Sequence, residues 1–499
     1  EGVAGNGGRR AGGDSGGGGL SGGASNAGHR AFAQERELLA LYESGALQTS
    51  GADSRPLHIA DGIFAFVLSD GRRMLAARDL LGIKTLFYGK MDGVLLFASE
   101  LKALASVTED VQEFPPGYLM DESGRLVRFA ELPTAPPGQL NEDPESLASR
   151  LREIIKGRFS ELVDFSVPTA SLLSGGLDSS VIAYLAAEAY REKAGKTGRL
   201  KTFSIGIGES EDIRAARLVS KYLNTDHTEL LIDLDQMLQV LPDVIYNLES
   251  FDPSLVRSSV SNYLVSRLAA GNGVEILLSG EGGDELFCGY SYLKQIPRDE
   301  LFAEQIACFR ILHNNASLRL DRMNLCHSVR VIAPLISTGL LDFALRIPEH
   351  YKLKPEGDAA DAASGAAEAA ASAASAPAAG APESGAPATS EPAAAAPESG
   401  APGAPNGALI EKWIFRKAFE PHLPTEIAWR LKQEFSQGSG SASVLRSYFE
   451  QQVSDREFEK CRSEFPVVRS KEECHYFRLF ADRFGTGKAA ETVGQWVSV

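Results

Sequence analysis

The feature that most constrains this chain is a break in an apolar run. Ser171-Leu172-Leu173 reads as the end of a buried strand, Ser174-Gly175-Gly176 turns the chain, and Asp178-Ser179-Ser180 opens a helix continuing through Val181–Ala187. Two glycines let a backbone turn tightly with its N–H groups inward, and a helix N-terminus adds positive potential. The natural guest of such a turn is a phosphate or pyrophosphate. No lysine follows the second glycine, so the turn is not the usual P-loop. An acid inside it, Asp178, suits a magnesium ion bridging phosphate oxygens. A bare turn of this kind also serves many α/β domains only to change direction.

The same logic recurs downstream. Glu275–Leu278 is apolar after its first residue, Ser279-Gly280-Glu281-Gly282-Gly283 turns, and Asp284-Glu285 begins a helix. Acids at a helix start often do no more than favour the dipole. Two acid-bearing glycine turns on two strands carry a stronger implication: Asp178 and Asp284 meet across one cleft and share magnesium. Between them Lys201–Ile207 and His227–Ile232 read as strands and Asp212–Leu223 and Leu234–Leu248 as amphipathic helices. Alternation at this rate predicts α/β architecture with a parallel sheet, nucleotide bound outside the carboxyl ends of its strands. His227 reads as an ordinary residue at a strand start.

The 499 residues predict two or three domains, and a net charge of −16 argues against a nucleic-acid partner. Five cysteines at Cys288, Cys308, Cys326, Cys461 and Cys474 give neither a disulfide framework nor zinc spacing. With no apolar run of about 18 residues, no membrane span is expected. The expectation is a cytoplasmic protein acting on small molecules, a homodimer being compatible. Residues 1–34, rich in Gly, Ser and Ala, are expected to be disordered and begin on Glu1. Glu37–Tyr42 reads as a short helix. Ile63–Leu68, Met74–Asp79 and Val94–Ala98 read as strands, with Met91-Asp92-Gly93 as a hairpin turn. Residues 130–143, with Pro133, Pro136 and Pro137, form a linker, and Pro144–Val163 an amphipathic helix.

Ser-Gly-Gly-Leu-Asp-Ser-Ser at 174–180 resembles the ATP-pyrophosphatase pattern. Together with Ser279–Phe287, Phe251–Arg257, Glu411–Phe419 and Trp429–Gly438, it makes the chain similar to the asparagine synthetases. Asp61–Phe66, Ala77-Arg78-Asp79, Gly82–Leu86, Ala98–Leu104 and Phe114–Gly117 resemble the second half of a class II (N-terminal nucleophile, α+β) glutamine amidotransferase domain. The resemblance implies a partial amidotransferase domain over 35–129, a synthetase domain over 144–499, and a disordered Ala/Pro-rich insert at 355–408.

It also implies ATP-dependent amidation of aspartate through β-aspartyl-AMP. Leu173 and Ile205 would flank the adenosine, and Ser279 and Gly280 would contact AMP. The turn Ser174, Gly175, Gly176, Ser179 and Ser180 would hold pyrophosphate, with magnesium on Asp178 and Asp284. Lys432 would neutralise charge at the α-phosphorus, Glu281 assist ammonia attack, and Arg257 pair with an aspartate carboxylate or phosphate. The family's nucleophilic cysteine follows its initiator Met, whereas the first cysteine here is Cys288, so ammonia is the expected donor. Arg330 and Ile332 stand where the family has Glu and Arg. The alternatives are a degenerate paralogue acting as a binding or regulatory protein, and an adenylating synthetase for another acid.

Overall fold

The computed structural model describes residue 42 and residues 62–355, 409–432 and 441–496. The expected helix at 37–42 is described only at Tyr42, and residues 1–34, nearly all of the 355–408 insert and Gln433–Gly438 lie outside the described residues.

The first unit is antiparallel. Strands β1 (Ala65–Ser69), β2 (Met74–Arg78), β6 (Tyr118–Asp121) and β7 (Leu126–Arg128) form one sheet in the order β1-β2-β6-β7. Strands β3 (Phe87–Met91), β4 (Val94–Ala98) and β5 (Val111–Glu113) form another in the order β4-β3-β5. The β3–β4 hairpin turns at Asp92 and Gly93, both at positive φ (51° and 83°), the requirement of a two-residue hairpin loop in a right-twisted sheet. Residues 130–143 contain no helix or strand, yet Leu140 is buried and donates its N–H to Arg346 O at 2.8 Å. Helix α1 (Leu101–Ala105) lies in this unit as well.

The second unit is built on five parallel strands in the order β10-β9-β8-β11-β12: β8 (Thr169–Leu172), β9 (Lys201–Ile207), β10 (Asp226–Ile232), β11 (Ile276–Leu278) and β12 (Arg330–Ile332). Numbered along the chain, that order is 3-2-1-4-5, so the direction of winding reverses between β8 and β11. Strand β8 begins at Thr169, and just before it Pro168 accepts from Glu275 N and Ile276 N through its carbonyl.

Helices cover both faces. Helix α2 (Pro144–Leu162) starts where Asp143 accepts from the N–H groups of Glu145 and Ser146, with Pro144 in the first turn where its missing N–H costs nothing. It packs with α3 (Leu177–Ala194) and α4 (Glu211–Leu223) in one apolar cluster through Leu151, Ile155, Val181 and Val219. The opposite cluster holds α5 (Leu234–Leu248), which opens on a reciprocal Asp233/Gln236 cap, and α6 (Pro253–Gly271). Helices α7 (Gly283–Phe287), α8 (Ala316–Leu325), α9 (Trp413–Phe419) and α10 (Lys471–Phe484) complete the frame used below. No helix of the described residues is long and apolar enough to cross a membrane.

Candidate active site

Where winding reverses, the connections leaving two adjacent strands diverge to opposite faces and leave a crevice at their carboxyl ends. Here those strands are β8 and β11, and both glycine turns leave from them. The turn after β8 is closed by its own serines. Ser174 N and Gly176 N donate to Ser179 Oγ (3.2 Å) and Ser174 Oγ (3.3 Å), and Ser179 Oγ donates to Gly176 O at 3.1 Å. The two turns touch. A Cβ on Gly283 would lie 2.6 Å from Asp178 Cγ and Oδ1, so only glycine lets the second turn approach the first acid.

One cleft opens there, lined by residues of both turns. Leu173, Ser174, Gly176, Asp178, Ser179, Ile205, Ser279, Gly280, Glu281, Asp284 and Lys432 all line it. Gly175, Ser180 and Arg257 are not among its lining residues. Gly175, at φ +73°, packs on α4, where a Cβ would meet Ala216 N at 2.4 Å. Ser180 is fully buried. Arg257 is buried, donates Nε–H to Pro253 O at 2.9 Å and lies 3.8 Å from Glu472 Oε1, so its charge is directed at α10. The role expected for it at the substrate therefore has no support in this geometry.

The centre of the site is a lysine to which the sequence assigned no role. Lys412 Nζ lies 2.5 Å from Asp178 Oδ2 and 2.7 Å from Asp284 Oδ1, and Lys432 Nζ lies 2.7 Å from Asp284 Oδ2. Burial opposes ionisation of Asp284, but Lys412 and Lys432 outweigh it and hold this carboxyl well below the usual range. Asp178 moves upward, because burial outweighs Lys412 and the charge of Asp284 adds to it. Lys432 is half-buried, and Asp284 and Asp178 hold its ammonium charged. Two acids and two lysines thus sum to zero.

Around this core sit further pairs. Glu281 pairs with Arg319 of α8, Asp212 with Arg430 at 2.7 Å, and buried Glu411 with Arg416 and Lys294 at 2.5 Å each. Glu411 Oε1 also accepts from Lys432 N at 3.1 Å, fixing the segment that carries that lysine. Burial, with Asp284 and Glu281 nearby, pushes Glu285 up to about 7. In the sequence Lys412 stands only as part of the family-like stretch Glu411–Phe419, a charged step directly before an apolar helix, with no role marked for it. Arg319 gave no signal, since nothing in Ala316–Leu325 marks one arginine over another. Arg330 is exposed at the start of β12, the end of the sheet away from the cleft, whereas Ile332 at its other end accepts from Ser279 N at 2.9 Å through its carbonyl. The side-chain change at Arg330 falls outside the cleft.

The donor set fits a magnesium ion. Two hard carboxylates come from two turns, and Asp178 Oδ1 is buried with no hydrogen-bond partner among the described residues. No group of three or more metal-binding side chains occurs among the described residues. Magnesium commonly uses one or two carboxylates and completes its shell from phosphates and water.

Comparison with known proteins agrees with this architecture. The Asparagine synthase family matches residues 150–316 and 297–478, and the Glutamine amidotransferase domain matches residues 35–106. A probable glutamine-hydrolysing asparagine synthetase of Dictyostelium discoideum is 30% identical over 467 residues, covering 88% of this chain and 75% of that protein. One of Schizosaccharomyces pombe is 31% identical over 471 residues, again covering 88% and 75%. Asparagine synthetase B (glutamine-hydrolysing) of Escherichia coli K12 is 30% identical over 451 residues, covering 87% and 72%. Doubly wound sheet, paired glycine turns and sequence likeness over most of both chains agree: this chain belongs to the asparagine synthetase family of carbon–nitrogen ligases.

Proposed function

We propose that the chain activates the β-carboxylate of aspartate with ATP as β-aspartyl-AMP and transfers nitrogen to it, yielding asparagine, AMP and pyrophosphate. The observation that carries this is the placement of Asp178, Asp284, Lys412 and Lys432 around one cleft at the point of reversed winding. Leu173 and Ile205 flank the adenosine, and Ser279 and Gly280 meet AMP. Ser174, Gly176 and Ser179 take the pyrophosphate. A carboxylate oxygen attacks the α-phosphorus, the bond to the β-phosphate oxygen breaks, and Lys432 offsets the charge gathering at phosphorus. Lys412 then turns to the departing pyrophosphate.

A nitrogen nucleophile next attacks the acyl carbon. The bond to AMP breaks, and Glu281, steadied by Arg319, accepts the proton from nitrogen. Because the core is neutral before substrate arrives, an incoming triphosphate requires added positive charge. Magnesium on Asp178 and Asp284 would supply it. Ammonia, free or derived from glutamine, is the nitrogen source. The position of Arg257 favours a second reading in which the activated acid differs from aspartate while the adenylation is unchanged.

The test follows pyrophosphate release with ATP, magnesium and aspartate, with ammonia or glutamine as donor, and measures asparagine. Asparagine formed with either donor supports the proposal, and the comparison identifies the donor. Failure to release pyrophosphate, together with failure to bind AMP, would leave a binding or regulatory protein.

A further inference from the structure

The turn after β11 supplies three acids to this region, and two of them have cations. Glu281 pairs with Arg319, and Asp284 with Lys412 and Lys432. Glu285 is buried, 3% exposed, and forms no ion pair among the described residues. Its Oε1 instead accepts the phenol proton of Tyr290 at 2.6 Å. A tyrosine hydroxyl has one proton; once that is given to a carboxylate, only lone pairs remain for another partner. Tyr290 lines the cleft. Its corner therefore offers an acceptor with an acid behind it, the complement of a positively charged donor.

The walls of the corner favour the same guest. Trp496 also lines the cleft, with its ring 5.6 Å from that of Tyr290, and Tyr292 lies 6.1 Å away on the same tyrosine. Aromatic faces attract ammonium groups. The corner is braced: Trp496 N donates to Asp252 Oδ2 at 2.9 Å, and Gln305 Nε2 donates to the carbonyls of Glu285 and Leu286 at 2.8 Å each. Ser254 of α6 lines the cleft too and offers a neutral hydroxyl to a carboxylate, whereas Ser258, one turn on, turns its hydroxyl proton to the carbonyls of Ser254 (3.1 Å) and Leu255 (3.0 Å).

We propose that Tyr290, backed by Glu285 and walled by Trp496, is the subsite for the α-ammonium group of the amino-acid substrate, and hence the feature that selects an amino acid over a plain dicarboxylic acid. This rests on the adenylating function proposed above. The reacting carboxylate then lies toward Lys432 and the ammonium toward Tyr290. Ammonia itself shares the recognised chemistry, and the test separates the two.

Pyrophosphate release by the full chain is measured with ATP and magnesium, comparing aspartate with succinate, which lacks only the ammonium group, while ammonium chloride is varied separately. Tyr290→Phe should reduce the preference for aspartate over succinate by roughly ten- to hundredfold, as for a lost hydrogen bond to a charged group. The loss should sit in KM for aspartate, with KM for ATP and for ammonia within about twofold, the scale on which a hydrogen bond is not involved. Trp496→Leu should shift the preference in the same direction, and the retained KM for ATP reports an intact fold. An unchanged preference in both variants overturns the subsite. A rise confined to KM for ammonia overturns it as well, because the corner would then hold the nucleophile. A wild-type chain releasing no pyrophosphate with either acid refutes the adenylating function and this subsite with it, whereas turnover with unchanged preference refutes the subsite alone.

Discussion

Replacing Lys412 by methionine keeps most of its volume and removes one charge from between two carboxylates. At a mean separation of about 2.6 Å and an effective dielectric of about 20, each contact is worth roughly 6 kcal/mol before desolvation is counted. Desolvation of all three groups takes back most of that. What remains on removing one partner of a buried pair is about 3–5 kcal/mol, the cost of stranding the other charge. Asp284 retains Lys432, but Asp178 has no second ion-pair partner among the described residues. The expected result is a fall in thermal midpoint of about 6–10 °C, at roughly 2 °C per kcal/mol for a domain of this size. Asp178→Asn in the Lys412→Met background removes the stranded charge and should recover at least half of the loss, a coupling of about 2 kcal/mol. Differential scanning calorimetry at neutral pH of the wild type, both single variants and the double variant closes the cycle. A Lys412→Met midpoint within about 2 °C of wild type, or a double variant no more stable than Lys412→Met, refutes the view that this ammonium balances two buried acids.

Gly283→Ala should abolish pyrophosphate release while leaving most far-ultraviolet dichroism intact, because the added Cβ falls 2.6 Å from the Asp178 carboxylate and must displace it; a fully active variant would contradict the close approach of the two turns. Arg257→Met should lower stability by about 1–3 kcal/mol through the lost Pro253 and Glu472 contacts, with KM for aspartate unchanged in steady-state assays. In the first unit Glu113 is pulled down to about 2: burial resists its ionisation, but His313 and Arg78 outweigh it. A carboxyl depressed in the folded state stabilises fully above its unfolded value near 4.5 and loses that contribution as pH falls toward about 2. Glu113→Gln should therefore remove about 2–3 kcal/mol at neutral pH and flatten the acid limb of the unfolding curve between those values, read by tryptophan-independent dichroism against pH.

Much of the fold was legible because its signals are local. The strands at Lys201–Ile207 and Val94–Ala98 and the helix at Leu234–Leu248 stand where apolar periodicity and turn residues put them, and the caps at Asp143 and Asp233 are written in adjacent residues. The two acids of the glycine turns could be paired because one motif repeats on two strands. Lys412 and Arg319 were not legible for the opposite reason: each reaches the cleft from an element far along the chain, and a basic residue beside an apolar helix looks the same whether it faces solvent or a buried carboxylate. Arg257 illustrates the converse. A residue drawn by resemblance into the substrate's company is turned by the helical period of α6 toward Glu472, while Ser254 and Ser258 on neighbouring positions face the cleft. Period, not proximity in sequence, decided which side chains face the cleft.

The short ladder between Lys354–Pro355 and Leu409–Ile410 pairs Lys354 with Ile410 and Pro355 with Leu409. It stands at the neck of the connection 356–408, and lengthening a loop costs little, about 0.6 kcal/mol per doubling. What the neck cannot tolerate is a slip. Ile410 is followed at once by Glu411 and Lys412, and a shift of one residue would carry Glu411 into the place of Lys412 between Asp178 and Asp284. Three carboxylates would then converge where two and an ammonium stood. Two rungs of backbone pairing therefore act as a phase lock, setting the sign of the charge at the heart of the cleft whatever is spliced in above them.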